Sequence, residues 1–141
     1  MNAPLYDTSI LRLAATIPHL GRLAAPDAAE ERRSTLCGSR VAVDVRLEAG
    51  RVAALGLDVS ACALGQAAAH LMAAHAIGRT PGELAAARDA LAAWLAGASD
   101  DPPDWPGLEQ LARARPHSAR HGAIRLPFEA VAAAASAAEA G

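Results

Sequence analysis

Two alternating runs of apolar residues, separated by a short turn, constrain the fold of this chain more than any other feature. Over residues 41–47 every second side chain is Val or Leu, and Ala, Asp and Arg stand between them. The same alternation returns over residues 53–59, and Ala49 and Gly50 lie between the two runs. A period of two is that of a half-buried strand, and such runs around a short turn favour a hairpin. The sequence therefore predicts two antiparallel strands.

Patterns with helical spacing lie on both sides of this hairpin. The predicted helices cover residues 10–17, 62–77, a segment that starts at Thr80, residues 108–113 and a segment that begins near Pro127. The polar stretch 24–35 indicates a loop or an edge segment, the Pro-rich stretch 97–107 a loop, and residues 114–122 an irregular connection. We therefore expect an α+β fold in which helices cover one face of a small antiparallel sheet, with residues 1–141 forming a single domain.

Composition restricts the class of protein. The chain is 52% hydrophobic but only 3% aromatic, which predicts a core of Leu, Val, Ile and closely packed Ala. No apolar run approaches the roughly 20 residues that a membrane span needs. The net charge of −2 argues against general nucleic-acid binding, although all 13 basic residues are Arg. The N-terminal residues have no signal-peptide pattern, so a cytoplasmic protein with reduced thiols is expected.

The two cysteines are the strongest candidates for a functional site. Cys37 is followed by Gly38 and Ser39 just before the first strand, and Cys62 follows Ser60-Ala61 just before a helix. Two such junctions can converge at one end of a small sheet. At the start of a helix, the dipole stabilises negative charge on sulfur, and thiolates are soft ligands for zinc, Cu(I) or iron–sulfur clusters. Two buried structural cysteines remain the alternative.

The histidines and arginines give a weaker signal. His70 and His75 are five residues apart and do not share a helix face, whereas His117 and His121 lie in a region expected to be a loop. No HExxH-type metal motif is present. Arg113, Arg115, Arg120 and Arg125 surround the second pair of histidines. This local positive charge fits an anionic partner or substrate, or simply a solvated face.

Taken together, these segments resemble the U-type iron–sulfur cluster scaffolds, the family of IscU, SufU and the N-terminal domain of NifU. The resemblance covers nearly the whole chain and includes the Pro-rich stretch 97–107, which is similar to an insertion of the SufU branch. The matching motifs are Leu5-Tyr6-Asp7, Cys37-Gly38-Ser39, Ala61-Cys62-Ala63-Leu64-Gly65, Leu108-Glu109-Gln110-Leu111, Ala119-Arg120 and Leu126-Pro127-Phe128-Glu129-Ala130. The resemblance implies an α+β fold of the SufE/NifU-like type, in which α-helices pack on one face of a small antiparallel sheet.

The resemblance also implies a ligand set of Cys, Asp, Cys and a third Cys, of which this chain keeps only part. Cys37 and Cys62 match two of the positions, whereas Ser39 stands at the Asp position and Ala123 at the third Cys position. A [2Fe–2S] cluster and structural zinc both normally take four ligands. His121 is therefore a candidate third ligand, because an imidazole can replace a thiolate on iron.

The arginine that lies three residues before the third Cys position is kept as Arg120, which is therefore a candidate partner-binding residue. Water, a small thiol or a second copy of the chain in a homodimer are other ways to complete the ligand set.

The function implied by the resemblance is that of a scaffold or carrier in iron–sulfur cluster assembly, not an enzyme. Such a protein receives sulfur from a cysteine desulfurase, binds iron or a labile [2Fe–2S] cluster, with zinc as the alternative metal, and serves recipient apo iron–sulfur proteins. Nucleic acids and membranes are not expected partners. Two other functions stay open: a persulfide sulfur acceptor, and a metal-free paralogue that binds an assembly partner.

Overall fold

The predicted hairpin forms two strands of a three-stranded antiparallel sheet. The computed structural model describes residues 6–36 and 38–141. The strands are β1 (Ala28–Arg33), β2 (Arg40–Glu48) and β3 (Arg51–Ser60), in the order β1-β2-β3. The segment predicted to be a loop or an edge therefore contains an edge strand, β1, whose side chains alternate between half-buried and exposed positions.

The turn between β2 and β3 is as tight as the sequence predicts. Glu48 pairs with Arg51, and the two residues between them have positive φ angles, 52° at Ala49 and 77° at Gly50. Two positive φ values are typical of the hairpin turn whose twist matches that of the flanking strands. Glycine adopts this conformation without strain, whereas Ala49 does so at a cost of about 1 kcal/mol.

Four α-helices and two short 3₁₀ helices complete the described chain. The α-helices are α1 (Thr8–Ala15), α2 (Ala63–Ala76), α3 (Pro81–Leu95) and α4 (His121–Ala140), and the 3₁₀ helices are Leu108–Ala114 and Ser118–Arg120. The local sequence explains where two of these helices begin. The Asp7 side chain accepts a hydrogen bond from the Ile10 amide at the start of α1, and Thr80 and Glu83 form a reciprocal capping box at the start of α3.

The helices cover one face of the sheet, which confirms the predicted α+β class. α4 packs against β1 and β2, α2 packs against β3 and α4, and α3 and α1 pack on α4 and α2 in turn. Val41, Val43 and Val45 point into this core and are fully buried. In the part of the chain that is described, no helix is long and apolar enough to cross a membrane.

The opposite face of the sheet is less exposed than the alternating pattern suggests. Asp44 is only 1% exposed, because the segment between α1 and β1 crosses this face. Both carboxylate oxygens of Asp44 accept hydrogen bonds from the Arg22 guanidinium at 2.8 Å, and one also accepts from the Leu23 amide at 2.9 Å. The Leu57 carbonyl accepts a hydrogen bond from the Gly21 amide at 2.8 Å. These contacts attach the segment to the middle of the sheet.

The last helix begins earlier than the sequence predicts. α4 starts at His121 and includes Pro127, near which its start was expected. A proline inside a helix removes one hydrogen bond, here the one to the carbonyl of Ala123. The packing of α4 offsets that loss, because its apolar residues from Ala123 to Ala135 lie against the sheet, α2 and α3.

Candidate functional site

The strand ends predicted to converge do meet at one end of the sheet. Arg40 at the start of β2 pairs with Ser60 at the end of β3. The connection from β1 to β2 is closed by hydrogen bonds from the Ser34 amide to the Ser39 carbonyl and from the Gly38 amide to the Ser34 carbonyl, both 2.9 Å. Ser39 therefore lies beside the residues that lead into α2. Cys37, the first predicted thiol, lies outside the described residues.

Cys62 occupies the N-cap position of α2. Its backbone is extended, with φ −66° and ψ 170°, and its carbonyl accepts the first helical hydrogen bond from Gln66 at 2.9 Å. The side chain makes no capping hydrogen bond, and the residue is half-buried as a free cysteine. The sulfur is thus held by the backbone at the positive end of the helix dipole, where negative charge is stabilised.

An open pocket of about 260 Å³ surrounds this position. Its lining residues are Gly38, Ser39, Ser60, Ala61, Cys62 and Arg120. Among the described residues, the lining contains a thiol, two hydroxyl groups and a guanidinium, and no carboxylate. The only formal charge among these residues is positive, which favours a nucleophilic sulfur or a small anion in the pocket.

Arg120 differs from the other three arginines of its region. Arg113 forms an ion pair with Asp7 at 2.7 Å, and Arg125 forms one with Glu129 at 2.8 Å. Arg115 donates to the backbone carbonyls of Trp94 and Ser99 and stacks on the Trp94 ring. Among the residues that the structure describes, the Arg120 side chain has no hydrogen-bond or ion-pair partner. Its guanidinium is therefore available to a ligand or a partner.

His121 follows Arg120 but is not part of the pocket lining. Its Nε2 atom lies 2.8 Å from the Arg115 carbonyl and 3.1 Å from the Ala114 carbonyl. A nitrogen that faces two acceptors must donate its hydrogen, so Nδ1 is the atom that could bind a metal. His117 is exposed and lies at the start of the second 3₁₀ helix.

Ala123, which the family resemblance predicts to stand at the third Cys position, is buried in a tight contact between α4 and α2. It is 1% exposed. A Cβ placed on Gly65 would lie 3.4 Å from the Ala123 Cβ, 3.3 Å from its carbonyl oxygen and 2.8 Å from the Ala61 Cβ. Since Gly65 lies one helical turn after Cys62, this contact forms the apolar side of the site.

The donor set of the described residues does not reach what a metal cluster requires. Within residues 6–36 and 38–141, no three side chains of the types His, Cys, Asp and Glu are grouped as a metal site. Ser39 is buried and is a poor ligand unless its hydroxyl is deprotonated. Adding Cys37 from the sequence would give two thiols, which is two short of four ligands.

Two features of the site have only weak sequence signals. Ser60 lines the pocket because it ends β3, and its place two residues before Cys62 is the only sign of this role. Gly122 allows α4 to approach the β1–β2 connection, since a Cβ there would lie 3.1 Å from the Ser34 hydroxyl. Such a long-range approach leaves no local pattern in the sequence.

Comparison with known proteins identifies similar structures. No protein-family model matches the chain, and a search of curated protein sequences found no match. One similar structure is the crystal structure of a nitrogen-fixing NifU-like protein (N-terminal) from Brucella abortus, whose sequence is 37% identical to this chain. The two structures have a TM-score of 0.86, and the match covers 96% of this chain and 95% of that one. A putative iron–sulfur cluster assembly scaffold protein for the SUF system, from Fervidobacterium islandicum, has a TM-score of 0.82 over 93% of this chain and 96% of its own, at 16% identity. The second likeness shows the fold alone.

Proposed function

The chain belongs to the NifU-like, U-type family of iron–sulfur scaffold proteins, and we propose that it acts as a carrier in iron–sulfur cluster assembly. In this role it receives sulfur from a cysteine desulfurase and holds iron or a labile [2Fe–2S] cluster through Cys37 and Cys62. The cargo then passes to recipient apo iron–sulfur proteins. The chain itself catalyses no reaction.

One observation carries this proposal: the thiol of Cys62 lies in an open pocket at the start of α2, in a chain related to NifU over nearly its whole length. An open pocket allows a donor and a recipient to reach the same sulfur in turn. Few ligands also favour release, because a cargo held by two thiols is easier to transfer than one held by four. Arg120 lines the same pocket and is our candidate for contact with the partner protein.

His121 is the candidate third ligand if iron or zinc binds. Because its Nε2 atom is engaged by two backbone carbonyls, coordination would use Nδ1. A second copy of the chain in a homodimer is the alternative source of ligands. The remaining parts of the proposal follow the sequence: residues 1–141 form one domain that works in the cytoplasm, without a nucleic-acid or membrane partner.

Metal, sulfide and sulfur analysis of the purified protein tests the carrier function. The protein is prepared anaerobically without a metal-binding tag, then incubated with a cysteine desulfurase, cysteine and ferrous iron. We expect sulfur, with or without iron, on the parent protein, and at least a tenfold loss in C62S with the fold intact. His121→Ala should lower metal content only if His121 is a ligand. Equal amounts of bound sulfur on C62S and on the parent protein would contradict the assignment of this site.

A metal-free partner-binding protein is the second candidate function. The observation in its favour is the buried contact at Ala123, where the family has a ligand. Such a protein would bind the desulfurase and change its rate without accepting sulfur. Retained binding by C62S, together with the absence of sulfur on the parent protein, would support this function over the carrier.

A further inference from the structure

We propose that the outer edge of β1 binds a second copy of this chain by antiparallel strand pairing, in a symmetric dimer centred on Glu31. The proposal goes beyond the carrier function and does not depend on it. It concerns a surface that lies outside the lining of the Cys62 pocket.

The first argument is the open backbone of β1. The strand order places β1 at one side of the sheet, and in the described part of the chain no strand pairs with its outer edge. The Ser34 amide donates to the Ser39 carbonyl at 2.9 Å, and the antiparallel register continues from there along β1. Because successive residues of a strand point their amide and carbonyl groups to opposite sides, those of Ala29, Glu31 and Arg33 point away from β2. The edge is therefore a template for another strand.

The second argument is the order of the charges along β1. Its last four residues are Glu30-Glu31-Arg32-Arg33, so the acidic half precedes the basic half. Charged residues on an edge strand commonly keep other strands away. Charges of one sign would repel a second copy, whereas this order places acidic residues of one copy beside basic residues of an antiparallel copy. The strand is therefore complementary to itself.

The third argument is that one register satisfies both the backbone and the charges. Outward residues of one copy must face outward residues of the other, so Glu31 can lie opposite Glu31 of the second copy. Glu30 then lies directly opposite Arg32 of the second copy, and Arg32 opposite its Glu30. The two Glu31 side chains are tolerated, because each is already paired with Arg33 at 2.9 Å and with Arg40 at 3.3 Å. Registers centred on Glu30 or Arg32 would instead place two like charges opposite each other at that residue.

Contacts of Arg32 within its own chain make this dimer weak. The Arg32 guanidinium donates to the outward carbonyl of Glu31 at 2.9 Å and lies 3.4 Å from the Glu30 carboxylate. Pairing exchanges the first contact for the Glu31 amide of the second copy, and the second contact for Glu30 of that copy. Since these side chains are partly exposed, salt screens the attraction between the copies. We therefore expect a reversible dimer that dissociates as the salt concentration rises.

The direction of the strands keeps the two Cys62 pockets apart. Arg40 pairs with Arg33 on one side and with Ser60 on the other, so the pocket lies at the end of the sheet where β1 ends. The two β1 strands run in opposite directions, which places the two pockets at opposite ends of the joined sheet. A copy bound at β1 therefore supplies no ligand to the Cys62 pocket.

Sedimentation velocity over a range of concentrations of the full chain tests the proposal. We expect a concentration-dependent dimer at low salt that dissociates at high salt. E30R and R32E should each raise the dissociation constant at least about tenfold, because both cross-strand pairs become repulsive. An equimolar mixture of E30R and R32E should recover the affinity of the parent, since each substituted residue then faces an opposite charge. Such recovery also shows that both variants fold.

E48R is the matched control. It makes the same change of charge at the exposed end of β2 in the hairpin turn, away from the β1 edge, and it should dimerise like the parent. A parent protein that stays monomeric at every concentration in low salt overturns the proposal and means that the charges only guard the edge. A dimer that E30R and R32E leave intact, or a mixture that does not recover, also overturns it.

The variant C62S separates this proposal from the carrier function. C62S should dimerise like the parent, and a C62S protein that no longer dimerises would place the interface at the pocket and overturn the proposal. A parent protein that dimerises through β1 but takes up no sulfur or iron supports the interface and contradicts only the carrier function.

Discussion

At the scale of single residues, the site is defined as much by two replacements as by its thiols. The family resemblance predicts an aspartate at Ser39 and a cysteine at Ala123. Both residues are buried, Ser39 in the pocket lining and Ala123 against Gly65. If these replacements weaken metal binding, then reversing both should strengthen it. We expect the double variant S39D/A123C to bind about one zinc or ferrous ion per chain, because it would recreate a four-ligand set.

The measurement is metal content after dialysis, with circular dichroism to verify the fold. S39D and A123C as single variants are the matched controls and should retain much less metal, since each supplies only three ligands. If the double variant folds and still binds no more metal than the parent, the two replacements do not explain the change in chemistry.

At the scale of elements, the contact between α2 and α4 fixes the apolar side of the site. Gly65 is the residue that permits it, since a Cβ there would lie 3.3 Å from the Ala123 carbonyl oxygen of α4, and 2.8 Å from the Ala61 Cβ just before α2. A glycine-to-alanine change inside a helix normally stabilises by about 1 kcal/mol, but overpacking costs about 1–3 kcal/mol. The difference between these effects predicts that Gly65→Ala lowers the free energy of unfolding by up to about 2 kcal/mol.

Gly82 provides the matched control for this prediction. It lies in the first turn of α3, where an added Cβ would meet only the Thr80 hydroxyl at 3.9 Å. Gly82→Ala should therefore be neutral or slightly stabilising. Urea denaturation of both variants measures the difference, and equal stability of the two would show that the α2–α4 contact tolerates a methyl group.

The same elements show what the sequence can and cannot predict. The hairpin was predictable because its alternation and its turn at Gly50 are local signals. The start of α4 was not, because Pro127 is a helix-breaking signal that packing of the whole helix overrides. The family motif singled out Arg120, but the sequence could not show that its guanidinium stays without a partner among the described residues. Arg113 pairs with the distant Asp7 and Arg115 donates to a backbone carbonyl, and only the pair of Arg125 with Glu129 is a local signal. Cys62 could be predicted because its motif is contiguous.

At the scale of the whole molecule, one buried carboxylate connects the N-terminal segment to the sheet. Hydrogen bonds from the Arg22 guanidinium, with a further one from the Leu23 amide, hold the pKa of Asp44 below its ordinary value of 3.8, although burial opposes this. The pKa of Asp7, Glu31, Glu83 and Asp89 is lowered as well, but these groups are more exposed, and exposed pairs contribute little to stability. Asp44 should therefore dominate the loss of stability in acid.

The variant D44N tests this by removing the charge with little change of shape. Well above pH 3.8 the Asp44 carboxylate is ionised in both the folded and the unfolded chain, so its stabilisation is complete there. D44N should then be less stable than the parent by about 1–3 kcal/mol. As the pH falls below that value, the unfolded chain takes up a proton before the folded one does, so the advantage of the parent shrinks and disappears below the folded pKa. Asp101→Asn, at an exposed loop position, should follow the parent at every pH. Urea denaturation between neutral pH and the acid limit measures all three proteins, and a parent–D44N difference that stays constant across this range would mean that Asp44 does not attach the segment through its charge.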